Sequence, residues 1–563
     1  MANFNRRLDS ALAMLNRREF VGGIAAAGLL LPAAASFASD DATSSPVVEI
    51  SSGKIRGVTE RGVHAFKGVP YGAPTGGSNR FMPPKNPVAW QGVRETVAYG
   101  FSSPQRDPAL PPTAPSSGAA GIIGDLSGMP ESEDCLVLNV WTRGLKSNGK
   151  GDGGKRPVLF WIHGGGFTAG SGSSPGYDGT NLCLRGDVVV VGINHRLNAV
   201  GYMHLGDIAG ADFAQSGNVG MLDIVLALQW VRDNVERFGG DPKTVTIFGE
   251  SGGGRKVSVL QAMPAAQGLY HRAVVESGPG TTMMDRGPAT EVTELVLAEL
   301  GIGRANARAL QSVPIDKLIS AYHKVSRMRQ GTLNYPFGSF APVVDGKVLP
   351  QHPFDPIAPS ISAHIPLLIG SNRTEATLFN LGDPKMFNLD EAGLQDRVTR
   401  LLKDAAPMVI DTYRKAYPGA SPSDIYFYIE TDGRYGVPTK VLAARKAALK
   451  RGPCYVYRFD WATPVMGGKL QTPHSLEIPF VFDHVIESKG LTGGGADAVA
   501  LADKVSDAWL AFARTGNPNT PKLPTWPAYN EDRPTMLFNN ESKVVNDPDK
   551  ATREVMQKVL QMA

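Results

Sequence analysis

Cysteine is scarce: Cys135, Cys183 and Cys454 are the three in 563 residues, too few for a disulfide scaffold, and at most one bridge could form among them. Excess charge of one sign is also lacking. The 57 Lys+Arg stand against 53 Asp+Glu, a net of +4, which excludes the concentrated basic face that a nucleic-acid binder needs to displace counterions. No CxxC or HExxH occurs, so zinc has no evident ligand set, and no metal or organic cofactor is expected. Gly (64) and Pro (42) follow no G-X-Y period, which excludes a collagen-like rod. What is present, 42% hydrophobic and 20% charged residues, describes a globular chain with ample core.

The amino terminus reads as an address. Asn16-Arg17-Arg18-Glu19-Phe20-Val21 sets paired arginines before an apolar stretch from Val21 to about Ala35, and Ser36-Phe37-Ala38 supplies small residues for cleavage. The stretch is too short and too rich in Ala and Gly to span roughly 30 Å of hydrocarbon, which takes about 20 residues. It resembles a twin-arginine export signal. Residues 1–38 are therefore expected to be removed on export to the periplasm or beyond, leaving no membrane anchor and a single domain over residues 39–563.

Short apolar runs punctuate the rest: Pro157–Ile162, Val188–Asn194, Thr244–Phe248, Ala273–Glu276, Ile365–Ile369 and Cys454–Phe459. Most are continuous, not alternating, as in strands covered on both faces of a largely parallel sheet. Between two of them, Met221–Arg237 places Leu222, Val225, Leu226, Leu228, Trp230 and Val231 as a sheet-packed helix would. Strand, helix and strand in succession imply an α/β fold of crossover units. Val343–Leu349, with Asp345-Gly346 at its centre, reads as a hairpin, and Asp107–Met129 as a surface loop. Gly149–Arg156 almost spells a phosphate-binding loop, but it ends in Arg where Ser or Thr is needed and precedes a strand instead of a helix. It reads as a solvated turn.

The chemistry concentrates at Gly249-Glu250-Ser251-Gly252-Gly253, which follows a buried strand and precedes a helix. That is the setting of a nucleophile elbow, with Ser251 as the nucleophile. Upstream, Pro157–Ile162 runs into His163-Gly164-Gly165-Gly166-Phe167, whose bare backbone suits an oxyanion hole. A serine needs a base, and the base an orienting acid. In elbow-type folds these follow in the order Ser, acid, His. Glu375 lies just past the run Ile365–Ile369, and of the ten histidines only His474 and His484 follow it. His474 sits in a polar loop, whereas His484 reads as a surface or packing residue. Asp345 is the rival acid, already explained by its turn.

These residues resemble the type-B carboxylesterases, the esterase and cholinesterase branch of the α/β hydrolases. The similarity runs from about Val48 to about Tyr529. It includes Phe66–Tyr71, Arg80–Pro84, Ser132–Val140, His163–Phe167, Asn218–Gly220, Phe238–Pro242, the elbow and Ala513–Pro518. The resemblance implies an α/β-hydrolase fold, a large mostly parallel sheet with helices on both faces. It also implies Ser251, Glu375 and His474 as the triad and Gly165, Gly166 and Gly252 as N–H donors to the oxyanion. Arg80 and Glu133 are implied as a structural salt bridge. Several positions depart from the family pattern. Gly252 stands where the family usually has Ala. Ser103 stands where many relatives place the cysteine that pairs with the one matching Cys135, so Cys135 is expected to be unpaired. Arg255-Lys256 replace small apolar residues, either as structural ion-pair members or to favour an anionic substrate. The expected activity is hydrolysis of small-molecule carboxylic esters through an acyl-enzyme. Amidase, lactonase or thioesterase chemistry, or a binding domain without catalysis, are the alternatives.

Overall fold

The computed structural model describes residues 45–110, 130–146, 154–328 and 340–562. The export signal, most of the Asp107–Met129 loop and the start of the Gly149–Arg156 turn lie outside the described residues. An 11-stranded sheet organises the chain. Its strands are β1 (Val58–Glu60), β2 (Val63–Pro70), β3 (Val137–Thr142), β4 (Arg156–Ile162), β5 (Val189–Ile193), β6 (Gly240–Glu250), β7 (Arg272–Glu276), β8 (Leu367–Asn372), β9 (Cys454–Phe459), β10 (Pro534–Phe538) and β11 (Lys543–Asn546). In space they run β11-β10-β9-β8-β7-β6-β4-β5-β3-β2-β1. Every pairing from β10 across to β5 is parallel, and antiparallel strands close both edges.

The continuous apolar runs have a simple cause. Alternate residues of one strand enter two different cores: Val158, Phe160 and Ile162 of β4 join one, Leu159 and Trp161 the other. The same division holds for Val245 and Ile247 against Phe248 in β6, and for Ala273 and Val275 against Val274 in β7. Helix α1 (Val219–Asn234) seals the first core with Val225, Leu228 and Val231. A long helix over Ala496–Thr515 seals the second with Val505, Trp509 and Phe512. Each fully buried aliphatic or aromatic side chain contributes about 1.5–3 kcal/mol.

All six expected strands form. Two differ in extent by more than one residue at an end: β6 begins at Gly240, and β8 begins only at Leu367, because Pro366 has no N–H to enter the ladder. Val343–Leu349 is not a hairpin. Val343–Val344 instead pair in parallel with Met284–Asp285. The Asn218 side chain takes both backbone groups of Val343, and Asp345 Oδ1 accepts from the N–H groups of Lys347, Val348 and Leu349. A side-chain-capped turn thus replaces the return strand. Asp345 is committed to that turn and to Asn218. Cys135, Cys183 and Cys454 are all buried free thiols. Arg80 meets Glu133 in a two-pronged pair, both contacts 2.7 Å, and also donates to the carbonyls of Leu310 and Val313.

Candidate active site

Four loops converge at the carboxyl ends of neighbouring parallel strands, where α/β sheets gather their sites. The loop after β4 carries His163–Phe167, that after β6 carries Ser251, that after β8 Glu375, and that after β9 His474. The register levels these ends: Ile162 pairs with Gly249, Glu250 with Glu276, and Glu276 with Gly370.

Ser251 stands between β6 and helix α2 (Gly252–Leu260) at φ 56° and ψ −119°, a conformation that costs of order 1–3 kcal/mol for a residue with a Cβ and persists only where the surroundings enforce it. Its N–H donates to the Glu276 carbonyl (2.8 Å), and its own carbonyl accepts from the Arg255 N–H (3.1 Å). The following helix start directs a positive dipole end at the turn. On the facing loop Gly165 has φ 83°, and a Cβ there would lie 2.2 Å from the Ala169 carbonyl oxygen; only glycine satisfies both constraints. The Gly165 carbonyl is held by the N–H groups of Thr168 and Ala169 and by the Thr168 hydroxyl. Gly252 abuts Gly166: a Cβ at 252 would sit 2.1 Å from the Gly166 carbonyl oxygen and 2.4 Å from its nitrogen.

On the opposite side His474 Nδ1 lies 2.5 Å from Glu375 Oε2. Glu375 Oε1 accepts from the Asn372 N–H at 2.7 Å, while the Asn372 amide donates to Pro473 O and Glu477 Oε2. One asparagine therefore orients both the acid and the loop bearing the imidazole. His474 Nε2 comes within 3.1 Å of Glu250 Oε1, the residue before Ser251. It has no hydrogen-bond partner among the described residues, because that contact lacks hydrogen-bond geometry. The Glu375–His474 pair is thus formed, Ser251 is one residue from the carboxylate nearest Nε2, and the Ser251–His474 hydrogen bond is not made.

Carboxyl groups crowd this side. Burial pushes both Glu375 and Glu250 up to about 8. Glu477, bonded to the Ser277 hydroxyl at 2.9 Å, is pushed up to about 7, chiefly by burial and then by Glu375. Burial lowers the His474 pKa, opposed by the negative fields of Glu250 and Glu477. The resting imidazole is therefore neutral, as a general base must be.

Sequence reasoning missed several members of the site. Glu250 and Glu477 are visible beside the elbow and the histidine, but their placement needs the fold. Tyr435 and Phe379 flank the His474 ring with centroids 4.9 and 4.8 Å away. Tyr435 reaches it from a π-turn at Asp432–Gly436, a distortion common at functional sites, and Phe379 keeps 54% of its surface exposed. His484 is buried beside Phe482, a packing residue. Arg255 lies over the Tyr435 ring at 5.8 Å. Lys256 does not meet the ion-pair expectation, since its partners are the carbonyl oxygens of His163 and Gly166.

A mixed sheet of this order, with an elbow serine and a glycine-rich loop at adjacent strand ends, defines an α/β hydrolase. The chain belongs to the carboxylesterase family, whose model matches residues 44–557. It is similar to the para-nitrobenzyl esterase of Bacillus subtilis, 36% identical over 90% of this chain and 98% of that protein. It is also similar to the phenmedipham hydrolase of Pseudarthrobacter oxydans, 34% identical over 87% of this chain and 94% of that one. A crystal structure of a Geobacillus stearothermophilus carboxylesterase at pH 6.2 superposes with a TM-score of 0.77, at 40% identity over 91% of this chain and 100% of that chain. The protein is a serine carboxylesterase that hydrolyses carboxylic esters. No helix among the described residues is long and apolar enough to cross a membrane.

Proposed function

We propose that the protein cleaves small-molecule esters through a Ser251–His474–Glu375 triad and a covalent acyl-enzyme. The 2.5 Å bond between Glu375 and His474, across the end of β7 from the strained Ser251 turn, carries this reading. His474 Nε2 takes the Ser251 proton as Oγ attacks the ester carbonyl carbon. The carbonyl oxygen becomes an oxyanion that accepts from the N–H groups of Gly165, Gly166 and Gly252. The tetrahedral adduct collapses, the imidazolium gives its proton to the departing alkoxide, and the acyl group remains on Oγ. Water, deprotonated by the same imidazole, repeats the sequence and releases the carboxylic acid. Glu375 fixes the tautomer and orientation of the ring and stabilises the imidazolium. The open Nε2 suits this scheme, because serine–histidine bonds in unliganded enzymes often tighten only when substrate arrives.

The exposed Phe379 ring beside His474 favours an apolar or aromatic group on the ester, in keeping with the names of the para-nitrobenzyl and phenmedipham relatives. Fluorophosphonate labelling tests the nucleophile: the tag should appear on the peptide bearing Ser251 and disappear in Ser251→Ala, with p-nitrophenyl ester turnover lost in parallel. Labelling elsewhere, or turnover retained by that variant, overturns the scheme. Export by residues 1–38 is part of the proposal, and its expected outcome is that replacing Arg17 and Arg18 with Lys leaves the protein in the cytoplasm on fractionation.

A further inference from the structure

Lys256 is an unusual residue to find in the second turn of the helix behind a nucleophile. Its side chain is fully buried. Its ammonium donates to the Gly166 carbonyl at 2.8 Å and the His163 carbonyl at 3.2 Å, and lies 5.6 Å from the centre of the Phe167 ring. The position of those two carbonyls in the chain is the informative point. The His163 carbonyl belongs to the peptide unit preceding Gly164, and the Gly166 carbonyl to the unit preceding Phe167. Between them lie the two peptide units that carry the N–H groups of Gly165 and Gly166. The ammonium therefore grips both flanks of the segment that presents these donors.

That segment, three consecutive glycines outside any helix or strand, has little intrinsic stiffness. Glycine loses more conformational freedom on ordering than any other residue, about 0.5–1 kcal/mol beyond alanine, and an oxyanion hole works only if its donors are set before charge develops. Gly252 completes the arrangement. With no Cβ on α2, the Gly166 peptide settles against the helix, within reach of Lys256; a methyl at 252 would overlap it. The neighbours of the ammonium fit the same role. The His163 and His195 rings meet at a centroid distance of 4.6 Å, tilted by 31°, and His163, whose Nδ1 bonds the Gly164 carbonyl, is held down to about 3 by burial and by the Lys256 charge. Burial and the adjacent Arg255 draw Lys256 itself down to about 7.

From this bracketing geometry we infer that Lys256 is a positioning residue for the oxyanion hole, a buried hydrogen-bonding staple that fixes the Gly165 and Gly166 N–H groups and is matched to glycine at position 252. The inference rests on the proposed roles of those N–H groups. It is tested with Lys256→Met, which fills the same space without donor or charge. Steady-state kinetics on a p-nitrophenyl ester should show kcat reduced about 10- to 100-fold, somewhat less than the loss of a whole donor, with KM within about twofold of wild type. Affinity for a trifluoromethyl ketone, which forms an oxyanionic adduct with the serine, should fall in parallel with kcat/KM. An unchanged kcat and ketone affinity, whatever the change in melting temperature, would overturn the inference.

Gly252→Ala carries the test independently if Lys256→Met does not fold. Its methyl must displace Gly166 from the ammonium, so kcat and ketone affinity should drop together at constant KM; wild-type values would count against the staple. Ser251→Ala separates the two levels. Turnover retained by that variant removes the triad itself, whereas a dead Ser251→Ala beside a fully active Lys256→Met removes the staple alone.

Discussion

On the acid–base side of the site Glu250, Glu375 and Glu477 surround one neutral imidazole, while on the oxyanion side a run of glycines rests on the buried ammonium of Lys256. The contrast follows the charges that the proposed reaction would create. In that scheme positive charge develops on His474, where buried carboxyls, held high by desolvation, gain a partner as the imidazolium forms. Negative charge would develop near Gly165, Gly166 and Gly252, where bare N–H groups and a helix start await it. Each half sets groups of the opposite polarity, ionisable carboxyls on one side and N–H dipoles on the other, where charge would appear, so little reorganisation is needed. The two halves differ in stiffness as well. The carboxyl side is tied by side chains such as Asn372, and the glycine side by contacts to its backbone.

The largest losses are expected at the junction of the two halves. Ser251→Ala and His474→Gln should each lower kcat on the order of 10⁶-fold, and the double variant should lose little more, because the pair acts as a unit. Glu375→Gln should cost about 10⁴, leaving the ring in place but in the wrong tautomer. On the glycine side, Gly165→Ala forces a Cβ into the Ala169 carbonyl, and turnover should drop about 10²–10³-fold with KM little changed.

Glu250→Gln separates the carboxyls by pH. Burial holds Glu250 up to about 8, so it is largely protonated where the acid limb of the kcat/KM profile falls, and the variant should leave that limb in place. A limb that moves to lower pH would mean that Glu250 is ionised there and raises the His474 pKa. The smallest effect on turnover belongs to Arg80→Met, remote from both halves. Breaking its buried fork to Glu133 should cost about 3–5 kcal/mol of stability, seen in denaturant melts, while kcat per folded molecule stays at the wild-type value.

Much of this was legible in the sequence for one physical reason: strands covered on both faces write themselves as unbroken apolar runs, and the functional loops follow those runs directly. Pro157–Ile162 and Thr244–Phe248 thus located the glycine-rich loop proposed as the oxyanion hole and the strand-to-helix turn at Ser251. Chain order then separated His474 from the other histidines. What was not legible depended on contacts between distant segments. Asp345-Gly346 carries a local hairpin signal, yet the Asn218 side chain supplies the hydrogen bonds a return strand would have made. Tyr435 reaches His474 only because a helix is distorted at Asp432–Gly436. A lysine beside an elbow gives no hint in one dimension that its ammonium will find two carbonyls of a loop some 90 residues upstream. The glycine at 252 preserves the N–H of the family pattern, but the closeness of Gly166 that it permits appears only in three dimensions.

Acylation of Ser251 with His474 as its base can be followed by rapid-quench mass spectrometry with a slowly deacylating p-nitrophenyl ester. A burst of one p-nitrophenol per enzyme is expected, matched in time by an acyl mass on the Ser251 peptide and absent in His474→Gln. A burst without that adduct, an adduct on another residue, or unchanged acylation in His474→Gln would contradict this assignment.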